Sequence, residues 1–252
     1  MQVLTNCKAQ CAKPLHLAMI MDGNRRWARA QHLCDHKGYE VGIDAMEEVI
    51  MGCMANQITD LTLFAFSTEN WSRTKDGIVQ LFTLMVHYMQ SLLEDETQRA
   101  QRFKHVQASF IGDQEALQER LCEMGEAELA ARVGDLSHKV AMRDIAHVKL
   151  HLRFAVNYGG KSEIVRAVND LLANGRDITE ESLGNKLQED SCPAVDFLIR
   201  TGGEMRISNF LLWQLAYSEI LFIDKKWPEL TRSDIGKFMD IFQKRVRRFG
   251  RD

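Results

Sequence analysis

The 252 residues suffice for one α/β domain with a sizeable core, or for two small ones. A formal net charge of −3 supplies no basic footprint, so neither a nucleic-acid partner nor an anionic membrane surface is expected. Six scattered cysteines (Cys7, Cys11, Cys34, Cys53, Cys122, Cys192) form no CxxC pair, which points to reduced thiols and a cytoplasmic protein.

No long apolar run precedes Pro14, and no stretch has 18 consecutive apolar residues. Neither a signal peptide nor a transmembrane helix is therefore expected. Peripheral membrane contact through a product or an exposed apolar face is left open. Residues 1–14 read as a flexible arm, and 15–252 as one domain without linker or repeat.

Leu15 to Met21 is a short apolar run bounded by a turn signal, the pattern of a covered parallel strand. Asp22 follows at its carboxyl end, where open α/β sheets place ligands. Gly23 permits a sharp turn, and Arg25 and Arg26 open a short helix whose first amides favour an anion. The competing reading makes Asp22 a helix N-cap with solvated arginines. A polar break at Cys34–Gly38 precedes a helix over Tyr39–Met54. A second strand, Ile58–Phe66, ends in the polar cluster Ser67-Thr68-Glu69-Asn70-Trp71-Ser72-Arg73.

Asp76 is placed to cap a helix over Gly77–Gln98. That helix is apolar on most faces, which suits either a central core helix or one wall of an apolar tunnel. A third strand covers His105–Ile111. Residues 114–146 read as two helices broken near Gly134. A fourth strand, Lys149–Val156, runs into Asn157-Tyr158-Gly159-Gly160-Lys161 and a helix from Ser162; the spacing is not that of a P-loop. Thr179 caps a helix over Ile178–Gln188. A fifth strand, Val195–Ile199, leads into Arg200–Ser208 and a short helix over Asn209–Gln214. A sixth strand lies near Glu219–Ile223, and a last helix runs from Ser233 towards Arg247.

Alternating strands and helices imply a mostly parallel sheet covered on both faces. The polar clusters at Asp22, Ser67–Arg73, Asn157–Gly160 and Arg200–Ser208 all follow strands, so they share one edge and make one composite site. Arg25, Arg26, Arg73, Arg200 and Arg206 suit phosphate oxygens, and five of them suggest two diphosphates. Asp22 suits Mg²⁺, which takes one or two carboxylates plus substrate phosphates.

The segments HLAMIMDGNRRWA, LTLFAFSTENWSR, NYGGKSEIV, DFLIRTGGEMRISNFLLWQLAYSEILF, WP and RRFG together resemble the cis-prenyltransferase family, the undecaprenyl and dehydrodolichyl diphosphate synthases. They occur in family order between residues 15 and 250. The resemblance implies a single α/β domain with a six-stranded, mostly parallel sheet, an apolar tunnel and a homodimer. It implies Mg²⁺-dependent condensation of isopentenyl diphosphate with an allylic diphosphate, with a cis product. Asp22 then corresponds to the metal-binding aspartate, and Gly23, Asn24, Arg25 and Arg26 to the loop holding the allylic diphosphate, with Trp27 beside it. Ser67, Thr68 and Glu69 fall where the family contacts substrate. Asn70 falls at the proton-acceptor position, flanked by Trp71 and Arg73. Arg200, Arg206, Ile207 and Ser208 fall in the segment that binds isopentenyl diphosphate. Glu219 matches a second Mg²⁺ carboxylate near the dimer partner's site, and Arg248-Phe249-Gly250 a tail reaching the neighbouring subunit. The long apolar helix becomes a tunnel wall, together with the helix over Tyr39–Met54.

Two positions depart from the family pattern. Tyr39 stands where the family has histidine, and Asp35 where it has an arginine that binds the allylic diphosphate. The 114–148 segment is also longer than usual. These departures point to an unusual allylic substrate, or to a short or irregular product. The rival class is a non-catalytic partner subunit, but such partners lose the aspartate and arginines that are kept here. Helical DDxxD pairs of trans-type enzymes are absent, as are GxGxxG and P-loop motifs.

Overall fold

Six strands, all parallel, form one sheet in the order β3-β4-β2-β1-β5-β6. The computed structural model describes residues 15–94 and 97–245. The arm at 1–14 and the Arg248–Gly250 tail lie outside the described residues. In chain order the elements are β1 (His16–Ile20), α1 (Asn24–Ala30), α2 (Asp35–Ala55), β2 (Asp60–Ser67), α3 (Lys75–Leu93), α4 (Gln98–Arg102) and β3 (Val106–Ile111). There follow α5 (Gln114–Glu123), α6 (Ala127–Ala141), β4 (Leu150–Tyr158), α7 (Gly160–Ala173), α8 (Glu180–Asp190), β5 (Phe197–Arg200), β6 (Glu219–Phe222) and α9 (Arg232–Gln243). Two 3₁₀ turns cover Thr68–Ser72 and Trp227–Glu229.

Side-chain alternation along the central strands builds two cores, one on each face. Leu17 and Met19 of β1, Phe197 and Ile199 of β5, and Leu150, Leu152 and Phe154 of β4 point into the larger core. Ala18, Ile20, Leu198 and Ala155 point into the smaller one, with Tyr158 and Phe210. A register shift between Phe64 and Phe66 breaks this alternation in β2. It turns Phe66 into the larger core, while Phe64 stacks on Phe210 at 4.4 Å.

Connections leave β1 and β5, neighbours in the sheet, towards opposite sides. Their carboxyl ends therefore flank the topological switch point, the crevice where such sheets bind ligands. Asp22 follows β1, and Arg200 ends β5.

Several expected boundaries move. Cys34–Gly38 is no break: α2 starts at Asp35, and Gly38 lies against α1 so closely that a Cβ there would fall 2.2 Å from Asn24 O. Thr74 rather than Asp76 caps α3, its hydroxyl accepting Gly77 N–H. That helix ends at Leu93 rather than Gln98. The break in the 114–146 region falls at Met124–Glu126, where Gly125 adopts φ +83°, while Gly134 sits inside α6 against Gln118. The α7 helix begins at Gly160, two residues earlier than expected. No helix forms over Asn209–Gln214: Ser208, Asn209 and Leu211 have φ of 50°, 61° and 42°, which right-handed helix excludes.

Candidate active site

Asp22 is fixed through its backbone before its carboxylate meets anything. Thr201, fully buried, accepts Asp22 N–H at 2.9 Å and donates to Asp22 O at 2.7 Å. Gly23 follows with φ +102°, in the left-handed region glycine favours, and a Cβ there would lie 2.9 Å from Lys226 Cβ. Gly202 faces this turn with φ +83°, and a Cβ on it would fall 2.8 Å from Arg26 Nη2. The N-cap of α1 is Gly23, with no side-chain cap, so Asp22 is not spent as a cap.

The freed carboxylate lies between two guanidiniums. Arg200 Nη2 donates to Asp22 Oδ2 at 2.9 Å, and Arg26 Nη2 lies 3.1 Å from Oδ1, which also accepts Gly23 N–H at 2.6 Å. Partial burial alone would raise the Asp22 pKa. Hydrogen bonds and charge from Arg200 and Arg26 outweigh that and leave it below the usual carboxylate value. Asp22 is thus ionised throughout the neutral range.

Arg200 is 5% exposed. Its Nη1 donates to Arg206 O at 2.6 Å and Ser208 Oγ at 2.8 Å, so it ties the 200–208 loop to Asp22. Its buried Nε has no partner among the described residues. A buried guanidinium N–H without an acceptor is costly, and an anionic ligand would satisfy it.

These groups open onto a cavity of about 470 Å³. Of the residues expected at the site, Asp22, Gly23, Asn24, Arg25, Arg26, Ser67, Asn70, Arg73, Arg200 and Ser208 line it. Asn70 Oδ1 accepts Ser67 N–H at 3.3 Å, which closes the turn after β2 and sets both side chains at the cavity. Beyond the charged groups the lining becomes apolar. It is made by Ile43 and Met46 of α2, Leu81, Leu84, Met85 and Met89 of α3, and Phe64, Phe110 and Phe154 of the sheet. Ile78, Phe82 and Val86 of α3 are buried in the larger core, while its other apolar face borders the cavity.

Other expected residues lie elsewhere. Trp27 is half-buried on α1 outside the cavity lining. Thr68 and Trp71 line a second cavity of about 350 Å³, where Trp71 Nε1 donates to Asn157 Oδ1 at 2.9 Å. Glu69 accepts from Asn209 Nδ2 at 3.2 Å. Arg206 is exposed and paired with Glu204, and Ile207 packs on the smaller core. Glu219 starts β6, in register with Phe197, and so sits at the sheet edge opposite Asp22; its partner is Arg245 at 2.7 Å.

The sequence reading missed Thr201 and Arg29. Arg29 lies one helical turn beyond Arg25 and also borders the cavity, which i,i+4 spacing would have shown. No sequence signal marks Thr201, whose role depends on β1 and β5 being neighbours.

Among the described residues no three His, Cys, Asp or Glu side chains gather as a metal site. A hard divalent cation that shares its shell with phosphate oxygens needs no such cage, and the partly exposed Asp22 carboxylate suits one.

Known proteins share this sequence pattern and fold. The family model described as "Putative undecaprenyl diphosphate synthase" matches residues 20–250. An isoprenyl transferase of Chromobacterium violaceum is 41% identical over 239 residues, 94% of this chain and 88% of that protein. A probable undecaprenyl diphosphate synthase from Campylobacter jejuni has TM-score 0.73 and 32% identity, covering 95% of this chain and 99% of that one. Lavandulyl diphosphate synthase from Lavandula x intermedia, solved with dimethylallyl diphosphate, has TM-score 0.78 and 28% identity over 94% and 98% of the two chains. The match runs from the last residue of β1 through every later strand that delivers a group to the cavity, and so the chain belongs to the undecaprenyl diphosphate synthase family of prenyl transferases.

Proposed function

We propose that this prenyl transferase condenses isopentenyl diphosphate with an allylic diphosphate, requires Mg²⁺, and forms a cis double bond. The observation that carries this reading is one cavity with a carboxylate among guanidiniums at its mouth and continuous apolar walls beyond. The allylic diphosphate sits at the Asp22–Arg26 loop, and its hydrocarbon lies along α3, the wall of a channel for the growing chain. Arg200, Arg73 and Ser208 hold the diphosphate of the second substrate, with Arg206 closing over it. Ile207 and Trp27 support the two binding loops, as Thr68, Glu69 and Trp71 support Ser67 and Asn70.

Fixing both diphosphates sets the two reacting carbons in line, a proximity effect. The allylic carbon–oxygen bond breaks and its electron pair leaves with the diphosphate. Arg25 and Arg26 offset the charge that develops there. Asp22 would hold Mg²⁺ here, and the bound cation would add to the neutralisation of that leaving group. The double bond of isopentenyl diphosphate attacks the allylic carbon, and the resulting cation loses a proton. The departing diphosphate takes this proton, oriented by Asn70, a neutral amide at the proton-acceptor position. Glu219 reaches an Asp22 only across a homodimer, as the second Mg²⁺ carboxylate.

A short or irregular product built from dimethylallyl diphosphate is the second reading. It is favoured by Asp35, a carboxylate that stands beside Arg25 and Arg29. The test is incubation of purified protein with Mg²⁺, isopentenyl diphosphate and allylic diphosphates of several lengths, followed by mass spectrometry of the dephosphorylated products. Turnover that chelation abolishes supports the proposal, and product length and connectivity separate the two readings. No turnover with any pair of substrates would overturn both.

A further inference from the structure

Four of the five arginines that line the cavity are arranged as two pairs, each bridged by one carboxylate. Asp22 bridges Arg26 and Arg200. Asp35, the first residue of α2, bridges Arg25 and Arg29. Arg25 Nε donates to Asp35 Oδ2 at 2.6 Å. Arg29 engages both oxygens as a fork, Nε to Oδ1 and Nη2 to Oδ2, each at 2.8 Å. Both arginines border the cavity, and neither has another carboxylate partner among the described residues.

The two bridges differ in kind. On the Asp22 side one partner, Arg200, has only 6% of its side chain exposed and anchors the bridge, whereas Arg26 is 45% exposed. Around Asp35 the exposures are 50% for Arg25, 61% for Arg29 and 32% for Asp35 itself. Ion pairs this exposed are weak and exchange readily. A diphosphate carries more charge than a carboxylate and binds guanidinium in the same forked way.

We propose that Asp35 is a built-in counter-anion that competes with diphosphate for Arg25 and Arg29. It thereby sets the affinity for the allylic substrate and assists release of inorganic diphosphate. This rests on the reading that the allylic diphosphate binds at the Asp22–Arg26 loop. The alternative, in which Asp35 positions the two arginines for the ligand, predicts the opposite sign.

Inorganic diphosphate is titrated calorimetrically into wild type and Asp35→Asn, with and without Mg²⁺, a readout that needs no turnover. Competition predicts that Asp35→Asn binds diphosphate about two- to thirtyfold more tightly, the range spanned by two exposed ion pairs. In steady state the KM for the allylic diphosphate falls by a similar factor, and the KM for isopentenyl diphosphate is unchanged. Asp35→Ser repeats the measurement if the asparagine variant does not fold. Equal or weaker diphosphate binding in the folded variants overturns the proposal. Absence of prenyl transfer by wild type would instead strike the reading of function, and the titration would still report the competition.

Discussion

Asp22→Asn separates the structural from the chemical duty of this carboxylate. Asparagine keeps the shape and one oxygen, so Gly23 N–H or Arg200 Nη2 still finds an acceptor. The charge between Arg26 and Arg200 is lost. Breaking a fully buried pair by removing one partner costs about 3–5 kcal/mol. Here the Asp22 side chain is 28% exposed and one oxygen remains, so the loss of one hydrogen bond from a guanidinium, partly made good by water, costs about 1–2 kcal/mol. For a chain of this size that lowers Tm by about 2–8 °C, measurable by circular dichroism. The effect on turnover is larger, because the lost charge is the one expected to hold a divalent cation against the leaving diphosphate. Loss of one such group costs about 10²–10³-fold in kcat. Single-turnover assays with labelled isopentenyl diphosphate, at a temperature where both proteins are folded, report that rate. A variant whose Tm drops as stated while its kcat stays within tenfold of wild type would show Asp22 to be a structural anchor only.

Thr201→Val removes one of two partners from each backbone group of Asp22, leaving Ile20 O and Trp227 N–H, at a cost of about 1–3 kcal/mol for the two hydrogen bonds and at least tenfold in kcat. Thr201→Ser should restore both, and failure of that rescue would refute the role of the hydroxyl. If Glu219 serves the partner's Asp22, mixing inactive Asp22→Ala and Glu219→Ala proteins regains activity through dimers with one intact site, whereas a mixture that stays inactive refutes the shared site. Tyr88 has a buried hydroxyl with no partner among the described residues, so Tyr88→Phe should be neutral or stabilising by up to about 1 kcal/mol in urea denaturation; destabilisation beyond that would contradict the geometry. Burial raises the Asp234 pKa, but bonds from Lys225 and Thr231 outweigh it and hold it at about 2, below the ~3.9 of an unfolded chain. This group therefore adds about 2 kcal/mol above the unfolded value, lost as pH falls through about 4 towards 2. The stability gap between wild type and Asp234→Asn should be flat from about pH 5 to 7 and narrow below about pH 4; a gap that persists to about pH 2.5 would refute it.

The sheet was legible because each strand is a short apolar run ended by a polar signal, as at Met21–Asp22 and Ile199–Arg200–Thr201. The shared edge of the polar clusters followed from parallel topology alone. What sequence periodicity does not carry is tertiary closeness. Gly38 reads as a breaker, yet it lies inside α2 because α1 crosses it too closely for a side chain. Asn209–Gln214 has apolar residues at helical spacing, but left-handed residues at Ser208, Asn209 and Leu211 turn Phe210 and Leu211 into the core instead. Asp35 stood out only as a departure from the family pattern; its pairing with Arg29 follows from α1 and the start of α2 lying beside one another. Trp71 was read as a substrate contact, whereas its ring lies 5.0 Å from Phe66 and 6.3 Å from Phe82, on the far side of the turn from the larger cavity.

Asp22 and Arg200 stand 178 residues apart in sequence, and the strands that carry them are neighbours at the middle of the sheet. During synthesis β1 emerges early but keeps one ladder of amides and carbonyls unpaired until β5 has left the ribosome. Anything that interrupts translation before that point yields a polypeptide with an open central edge, the kind of template on which chains aggregate. The same event that caps this edge delivers the guanidinium to its carboxylate, so maturation of the sheet and assembly of the cavity mouth are a single late step.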